Sequence, residues 1–205
     1  SPPSADSTFC MSIDLNCDMG ESFGSYTIGN DESVMRSITS ANIACGFHAG
    51  DPSVIRRTIR LALASGVAIG AHPGFPDLVG FGRREMKVTP DEVEDFVMYQ
   101  VSAVAGLAAA EGTRLQHVKP HGALYNLAAR DADIAAAIAR GIAALDRSLI
   151  LFGLAGSEVL IAGRAAGLRV AAEAFADRAY TPHGGSFNYR AGPLVERAYM
   201  AAERL

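Results

Sequence analysis

Short strand-like runs alternate with longer helical runs along most of this chain, and this alternation limits the fold more than any other sequence feature. Six runs are brief, rich in apolar or β-branched residues, and bounded by glycine or a polar turn, which predicts strands. They span residues 11–18, 39–45, 66–72, 116–121, 149–154 and 169–177. Strands separated by helices pair in parallel through right-handed crossovers. The sequence therefore predicts an α/β fold, either a doubly wound open sheet or a closed (β/α) barrel.

Helix boundaries are marked between these strands. Asp51 followed by Pro52 predicts a helix start, because aspartate caps free amides and proline is favoured at the first helical position. Thr89 and Glu92 predict a capping box. The other predicted caps and stops are Gly66, Gly112, Asp131, Ser157 and Gly167.

The bulk properties of the chain exclude several classes of protein. Its 205 residues suffice for one domain, expected over residues 11–205 behind a disordered tail at 1–10. The net charge of −4 favours neither nucleic acid nor anionic lipid, and no apolar stretch approaches the ~20 residues of a membrane span. The three cysteines, Cys10, Cys17 and Cys45, show no CxxC spacing. Reduced thiols and a cytoplasmic location are therefore expected.

Polar residues collect at the carboxyl end of the first predicted strand, where parallel α/β folds bind their ligands. Asp14, Asn16 and Asp18 alternate onto one face, and Glu21 follows. Three polar groups on one face of a buried strand need partners or a ligand. An exposed edge strand is the alternative interpretation.

The second and third strands lead into further polar residues. Asn42 lies in the second strand, and His48 lies between glycines just before the helix cap Asp51, where helix amides favour anions. His72 is the last residue of the third strand. Asp51 is explained by its capping role, and a hydrogen-bonded loop histidine is the alternative for His48.

A glycine-rich loop follows the third strand. Gly80 and Gly82 would let the backbone approach an anion closely, and the paired Arg83 and Arg84 are suited to phosphate or carboxylate. The alternative is a long surface loop with solvated arginines.

The fourth strand places His117, Lys119 and His121 on one face. A strand lysine flanked by histidines could bind a carboxylate, stabilise developing negative charge, or act with a shifted pKa. In the sixth strand, Glu173 and Asp177 share a face. A structural salt bridge with the following arginine or with Lys119 is the alternative for these two acids.

Five strand ends thus carry ionisable or polar groups, which predicts one shared site, as at the mouth of a barrel. No GxxxxGK[ST] motif is present, so a P-loop nucleotide site is not expected. The GxSxG motif of a serine nucleophile is also absent.

The polar residues at the strand ends lie in six sequence blocks that resemble the LamB/YcsF family. The blocks span residues 14–24, 40–52, 70–77, 80–84, 117–126 and 173–178, within a resemblance that is nearly continuous from Ile13 to Tyr180. The resemblance implies a TIM-like (β/α) barrel related to glycoside hydrolases and polysaccharide deacetylases. Six predicted strands are one or two short of closure, so a seven-stranded or incomplete barrel is expected.

The resemblance also implies a function. Members of the family form one component of an ATP-hydrolysing 5-oxoprolinase and act with two partner subunits, B and C, to cleave 5-oxoproline to L-glutamate. The lactam is a poor electrophile, so phosphorylation of its oxygen by ATP would activate the carbon for attack by water.

The resemblance implies roles for particular residues. The residues expected to act in catalysis are Asp18, His48, His72, Lys119, His121, Glu173 and Asp177. The residues expected to contact ATP are Gly80, Gly82, Arg83 and Arg84. The residues expected to contact the substrate are Asp14, Asn16, Glu21, Asn42 and Arg178. A divalent cation is expected either as magnesium with ATP or as a site metal, with Asp18, His48 and His72 as candidate ligands.

The C-terminal region departs from the family's pattern. Family members run on by some tens of residues beyond the position of Tyr180, whereas here the sequence Pro182-His183-Gly184-Gly185 follows almost at once. A family segment is therefore expected to be missing near residues 181–183.

Two other functions remain open at the level of sequence. A metal-dependent carbohydrate deacetylase or glycosidase is suggested by the Asp and His residues, because catalytic zinc takes three protein ligands and an open position. A non-catalytic substrate-binding subunit is the other alternative. A homo-oligomer is compatible with each of these functions.

Overall fold

The structure, a computed structural model, describes residues 13–175 and two short strands at 179–180 and 187–188. Six parallel strands form one sheet, and their order across the sheet is their order in the sequence. They are β1 (Asn16–Met19), β2 (Ser40–Ala44), β3 (Ala68–His72), β4 (His117–Val118), β5 (Ile150–Leu154) and β6 (Arg169–Glu173). A doubly wound sheet reverses its strand order partway, so this order selects barrel winding. The sheet curls into a half-barrel, which confirms the predicted TIM-like, incomplete fold.

Helices alternate with these strands and cover the outside of the sheet. They are α1 (Asp31–Val34), α2 (Pro52–Ala64), α3 (Pro90–Ala110), α4 (Gly122–Ala128), α5 (Ala132–Leu145) and α6 (Glu158–Ala165). A second, antiparallel pair of strands consists of β7 (Ala179–Tyr180) and β8 (Phe187–Asn188). Among the described helices, none combines the length and the hydropathy that a membrane-spanning helix requires.

Three of the four predicted helix N-caps make side-chain hydrogen bonds to their helices. The Asp51 carboxylate accepts hydrogen bonds from the amides of Ser53 and Val54, 2.8 and 3.0 Å away. Thr89 and Glu92 form both hydrogen bonds of the capping box. Asp131 caps α5 in the same way as Asp51, whereas Ser157 precedes α6 without a side-chain hydrogen bond to it.

The apolar faces of the helices pack on the strands to form the core. Fully buried side chains come from strands and helices alike, and each contributes about 1.5–3 kcal/mol by leaving water. Representative members are Ile43, Ile69, Val97, Val118, Ile138 and Leu151. This core supports the inner surface of the half-barrel, where the polar residues lie.

All six strands are shorter in the structure than predicted, and the fourth and sixth end several residues early. The fourth strand was expected over 116–121, but it ends at Val118 because Pro120 has no amide hydrogen to continue the ladder, and α4 begins at Gly122. The sixth was expected to reach residue 177 and ends at Glu173. The expected disordered tail at 1–10 and the expected missing segment near 181–183 lie outside the described residues.

Gly70 of β3 makes room for the buried imidazole of His117. A Cβ added at Gly70 would lie 2.1 Å from Nε2 of His117, well inside van der Waals contact. We expect Gly70→Ala to lower the free energy of unfolding by about 1–3 kcal/mol, as overpacked cores do. Urea denaturation measures this change.

The matched control is Gly106→Ala in α3, because an added Cβ there would meet nothing within 4 Å. Alanine is preferred to glycine in a helix by about 1 kcal/mol, so this variant is expected to be more stable than the parent. Equal stability of the two variants would show that the Gly70–His117 contact has no such effect.

Candidate active site at the carboxyl ends of the strands

The carboxyl ends of the strands surround a cavity of about 130 Å³. Its lining residues are Asp18, His72, Arg83, Lys119, Pro120, His121, Gly122, Ala123, Tyr125, Asn126 and Phe175. A larger cavity of about 460 Å³ lies at the amino ends of the strands, beside Val67, Leu115 and Arg169, and none of the predicted site residues lines it. The chemistry of the lining residues, and not cavity size, identifies the smaller cavity as the candidate site.

Lys119 lies at the centre of the charged residues. Its Nζ is 2.7 Å from Oε1 of Glu173 and 3.3 Å from Oδ1 of Asp18, and it donates a hydrogen bond to Oδ1 of Asn16 at 3.0 Å. Burial alone would lower its pKa, but the carboxylates of Asp18 and Glu173 raise the pKa of Lys119 overall. The amine is therefore charged at neutral pH. Of the roles expected for a strand lysine, this favours stabilising negative charge over acting as a neutral base.

Asp18 is held as a carboxylate. Its Oδ1 accepts a hydrogen bond from Nδ2 of Asn42 at 2.9 Å, and its Oδ2 lies 3.3 Å from Nε2 of His72. Burial would raise its pKa, but His72, Lys119 and Asn42 together hold the pKa of Asp18 well below its usual range. Asp18 is thus available at neutral pH as a hydrogen-bond acceptor or a general base.

Two histidines on the cavity wall face each other. His72 Nδ1 lies 2.6 Å from the carbonyl oxygen of Lys119, and His121 Nε2 lies 2.8 Å from the carbonyl oxygen of Phe81. A carbonyl only accepts, so each of these nitrogens carries a proton. The opposite nitrogens, Nε2 of His72 and Nδ1 of His121, are 3.0 Å apart. Burial lowers the pKa of His121 to about 3, so its ring is neutral at physiological pH.

A third histidine and a glutamate complete this group. The His48 ring stacks on the His121 ring with 3.7 Å between centroids, and its Nε2 lies 3.9 Å from Oε1 of Glu21. One ligand atom from each of Glu21, His48, His72 and His121 lies within 4.8 Å of the others, an arrangement that could hold a metal ion. Of the three candidate metal ligands from the sequence, His48 and His72 belong to this group and Asp18 lies beside it.

The loop over residues 80–84, predicted to bind an anion, places its two arginines differently. Arg83 lines the cavity. Nε of Arg84 donates instead to both carboxylate oxygens of Asp77 at 3.0 Å, and the amide of Gly80 donates to the same side chain at 2.9 Å. Gly82 is buried and packs against the histidine rings. These hydrogen bonds to Asp77 hold the loop in place. Of the four loop residues predicted to contact ATP, only Arg83 lines the cavity.

Asn16 and Asn42 form a hydrogen-bonded network inside the half-barrel. Nδ2 of Asn42 donates to Oδ1 of Asn16 at 2.7 Å, and Nε2 of His117 is 2.8 Å from Oδ1 of Asn42. Burial lowers the pKa of His117 to about 4, so it is neutral at physiological pH. This network fixes the side chains that contact Lys119 and Asp18.

The other predicted substrate contacts lie elsewhere. The Asp14 carboxylate accepts hydrogen bonds from the hydroxyls of Thr39 and Ser40 at 2.7 and 2.6 Å, before β1 begins, and is not in the cavity lining. Arg178, another expected substrate contact, and Asp177, an expected catalytic residue, lie outside the described residues.

Sequence reasoning missed two aromatic residues of the cavity. The Tyr125 hydroxyl donates to Oε2 of Glu173 at 3.0 Å, and the Phe175 ring centroid is 5.3 Å from Nζ of Lys119. Tyr125 follows His121 by four residues, which is one helical turn. That spacing could have revealed it once α4 was known to start immediately after β4.

Comparison with known proteins places this site in a family. The profile of the LamB/YcsF family matches residues 13–204. The A subunit of 5-oxoprolinase from Tolumonas auensis is 61% identical over 181 residues, covering 88% of this chain and 72% of that protein. The A subunit of 5-oxoprolinase from Geobacillus kaustophilus is 59% identical over 191 residues, covering 93% of this chain and 73% of that protein.

A solved structure is similar as well. The crystal structure of the lactam utilization protein from Thermus thermophilus matches with a TM-score of 0.83 and 53% sequence identity, covering 85% of this chain and 70% of that one. The names of these three proteins refer to oxoproline or lactam chemistry, and none of them refers to carbohydrate. The chain belongs to the LamB/YcsF family.

Proposed function

We propose that this chain is the A subunit of an ATP-dependent 5-oxoprolinase, which hydrolyses the cyclic amide of 5-oxo-L-proline to L-glutamate. Relatives about 60% identical over most of the chain bear that name. The observation that carries the proposal is a small cavity in which the charged Lys119 lies between the carboxylates of Asp18 and Glu173. Such a set of groups can stabilise a developing negative charge and accept a proton from water.

The size of the cavity fits the substrate better than the nucleotide. Drug-sized ligands occupy pockets of roughly 300–1,000 Å³, whereas this cavity measures about 130 Å³. A five-membered lactam with one carboxylate matches that size, and the adenosine of ATP does not. We therefore place the lactam and the transferred phosphoryl group here, with the rest of ATP outside the cavity or on the partner subunits B and C.

Arg83 is the better candidate for binding the anionic groups. The charge of Lys119 is already balanced by Asp18 and Glu173, whereas Arg83 is exposed at the cavity wall, 5.4 Å from the Phe81 ring centroid. Arginine binds carboxylates and phosphates through paired N–H groups. Arg83 would hold the substrate carboxylate or a phosphate, and Lys119 would act on the reacting oxygen.

The proposed reaction has three steps. The lactam oxygen first attacks the γ-phosphorus of ATP, which forms a phosphorylated lactam and releases ADP. Water then adds to the activated carbon as Asp18 or Glu173 accepts its proton, and the ring C–N bond breaks as the nitrogen is protonated, which leaves an acyl phosphate. A second water hydrolyses this acyl phosphate to L-glutamate and phosphate. Lys119 stabilises the negative charge on oxygen throughout.

A metal-dependent hydrolase acting on another amide or ester is the second candidate function. The group formed by Glu21, His48, His72 and His121 favours it, because hydrolases use such ligands to activate water. The cytoplasm is the proposed location for either function, in keeping with the free thiols of Cys17 and Cys45.

A glutamate-release assay tests the first proposal. We expect the chain mixed with partner subunits B and C to release glutamate from 5-oxoproline with ATP, and little or none without ATP or without the partners. ATP-independent cleavage of other amides or esters by the chain alone would support the second function instead.

A further inference from the structure

We propose that Glu21, His48, His72 and His121 form a binding site for a zinc-class divalent cation. Their four ligand atoms lie within 4.8 Å of one another. The residues come from four separate segments of the half-barrel: the loop after β1, the loop after β2, the end of β3 and the N-cap of α4. Only the fold brings them together, at the rim where the strands end.

The state of His48 points to a ligand. Its side chain is 0% exposed, and neither of its ring nitrogens has a hydrogen-bond partner among the described residues. A buried polar atom without a partner costs about 1–3 kcal/mol. The nearest carboxylate oxygen, on Glu21, is 3.9 Å away from Nε2, too far for a hydrogen bond. A cation between them would give Nε2 of His48 a partner and neutralise the carboxylate.

His72 and His121 are already oriented as ligands. Hydrogen bonds to the carbonyls of Lys119 and Phe81 hold one nitrogen of each ring as a donor. The remaining nitrogens, Nε2 of His72 and Nδ1 of His121, lie 3.0 Å apart. Metal-bound histidines typically donate their second N–H to a carbonyl or carboxylate, which fixes the ring.

Two glycines hold the imidazoles in place. A Cβ at Gly74 would lie 2.8 Å from Nδ1 of His48, and a Cβ at Gly82 would lie 2.7 Å from Cβ of His48 and 2.9 Å from Cδ2 of His121. Larger residues at these positions would displace the rings. The close packing thus leaves the rings of His48 and His121 room for small shifts only.

The donor set selects the type of cation. Three imidazole nitrogens and one carboxylate suit zinc and its first-row neighbours, whereas magnesium prefers oxygen ligands and retains its water. Ligand atoms around tetrahedral zinc lie about 3.3 Å apart at bond lengths of about 2.0–2.1 Å. The 3.0 Å separation of the His72 and His121 nitrogens is close to this, and His48 and Glu21 would move inward on binding. The cation is therefore distinct from the magnesium that accompanies ATP.

Titration with Co²⁺ tests the site without substrate or partner subunits. The chain is purified, stripped with a chelator, and titrated while the visible absorption of tetrahedral Co²⁺ is recorded; bound zinc is measured separately by elemental analysis. We expect one equivalent of either metal per chain. The variants His48→Gln and Glu21→Gln should bind at least about 10–100-fold more weakly, the loss typical even for outer-shell partners.

The matched control is His117→Gln, which removes a buried histidine of the same half-barrel. Both His117 ring nitrogens already face partners, Asn42 at 2.8 Å and Gln116 at 3.3 Å, so this variant should bind Co²⁺ like the parent. Failure of the parent to bind stoichiometric metal, unchanged affinity in Glu21→Gln, or equal loss in the control would overturn the proposal.

Circular dichroism establishes that each variant is folded. If His48→Gln does not fold, the Co²⁺ affinity of Glu21→Gln tests the metal site, because the Glu21 side chain is only partly buried. Because the experiment measures metal binding, a chain that binds no metal would not contradict the proposed 5-oxoprolinase function. A chain that releases no glutamate would likewise not contradict the metal site.

Discussion

Lys119→Met is expected to lower kcat for glutamate release by about 10²–10³-fold, the usual effect of removing one charge-stabilising donor from an active site. Methionine has a similar length and fills the same space without the charge. The amine contacts both Asp18 and Glu173, at 3.3 and 2.7 Å, so no other described cation is placed to replace it between them. The rate is measured with ATP and both partner subunits present.

The same substitution is expected to cost stability. Breaking a buried ion pair leaves an uncompensated charge and costs about 3–5 kcal/mol. The lower end of that range applies here, because Asp18 is 38% exposed even though Glu173 is buried. Urea denaturation of the purified chain measures the change.

A double variant separates the two effects. Lys119→Met combined with Glu173→Gln removes the unpaired charge while retaining an acceptor for the Tyr125 hydroxyl. We expect it to recover most of the lost stability and none of the lost activity. Lys87→Met, at an exposed lysine, is the control for both measurements. Full activity in Lys119→Met would exclude the lysine from the mechanism.

Asp18→Asn is expected to lower kcat by about 10²–10⁴-fold, the range attributed to general acid–base groups. Asparagine keeps the size of the side chain and its hydrogen bond with Asn42, but it cannot accept a proton. Because His72, Lys119 and Asn42 keep the pKa of Asp18 low, the carboxylate form is the one present at neutral pH. If Asp18 is the base that removes a proton from water, its replacement lowers kcat far more than it changes KM.

Two controls accompany this variant. Asp91→Asn, at an exposed acid in the first turn of α3, should leave the rate unchanged. Circular dichroism establishes that Asp18→Asn is folded, because its carboxylate is one of the partners of the buried Lys119. A rise in KM at constant kcat would assign Asp18 to substrate binding and not to proton transfer.

Parts of the site could be predicted residue by residue. Asp18, His72, Lys119 and His121 were expected at strand ends, and all four line one cavity. Strand alternation and the convergence of strand ends in parallel folds are local and general rules, so they hold without knowledge of the packing.

Other expectations depended on contacts between distant residues. Arg83 and Arg84 are adjacent and chemically identical, but only the first lines the cavity, because Asp77 binds the second. Asp14 was expected on the strand face of Asn16, but it lies before β1 and its carboxylate pairs with the hydroxyls of Thr39 and Ser40. No local pattern distinguishes these cases.

The sequence by itself determined the cycle of strands and helices, the helix caps and the family, because hydrophobic period, capping and motif blocks are all local along the chain. Only the tertiary structure decided the barrel winding and the grouping of Glu21 with His48, His72 and His121. It also decided the charge state of Lys119, which follows from two carboxylates more than 50 residues away in either direction. Strand order, burial and charge pairing are set by which segments meet in space, and that is a property of the whole packed chain.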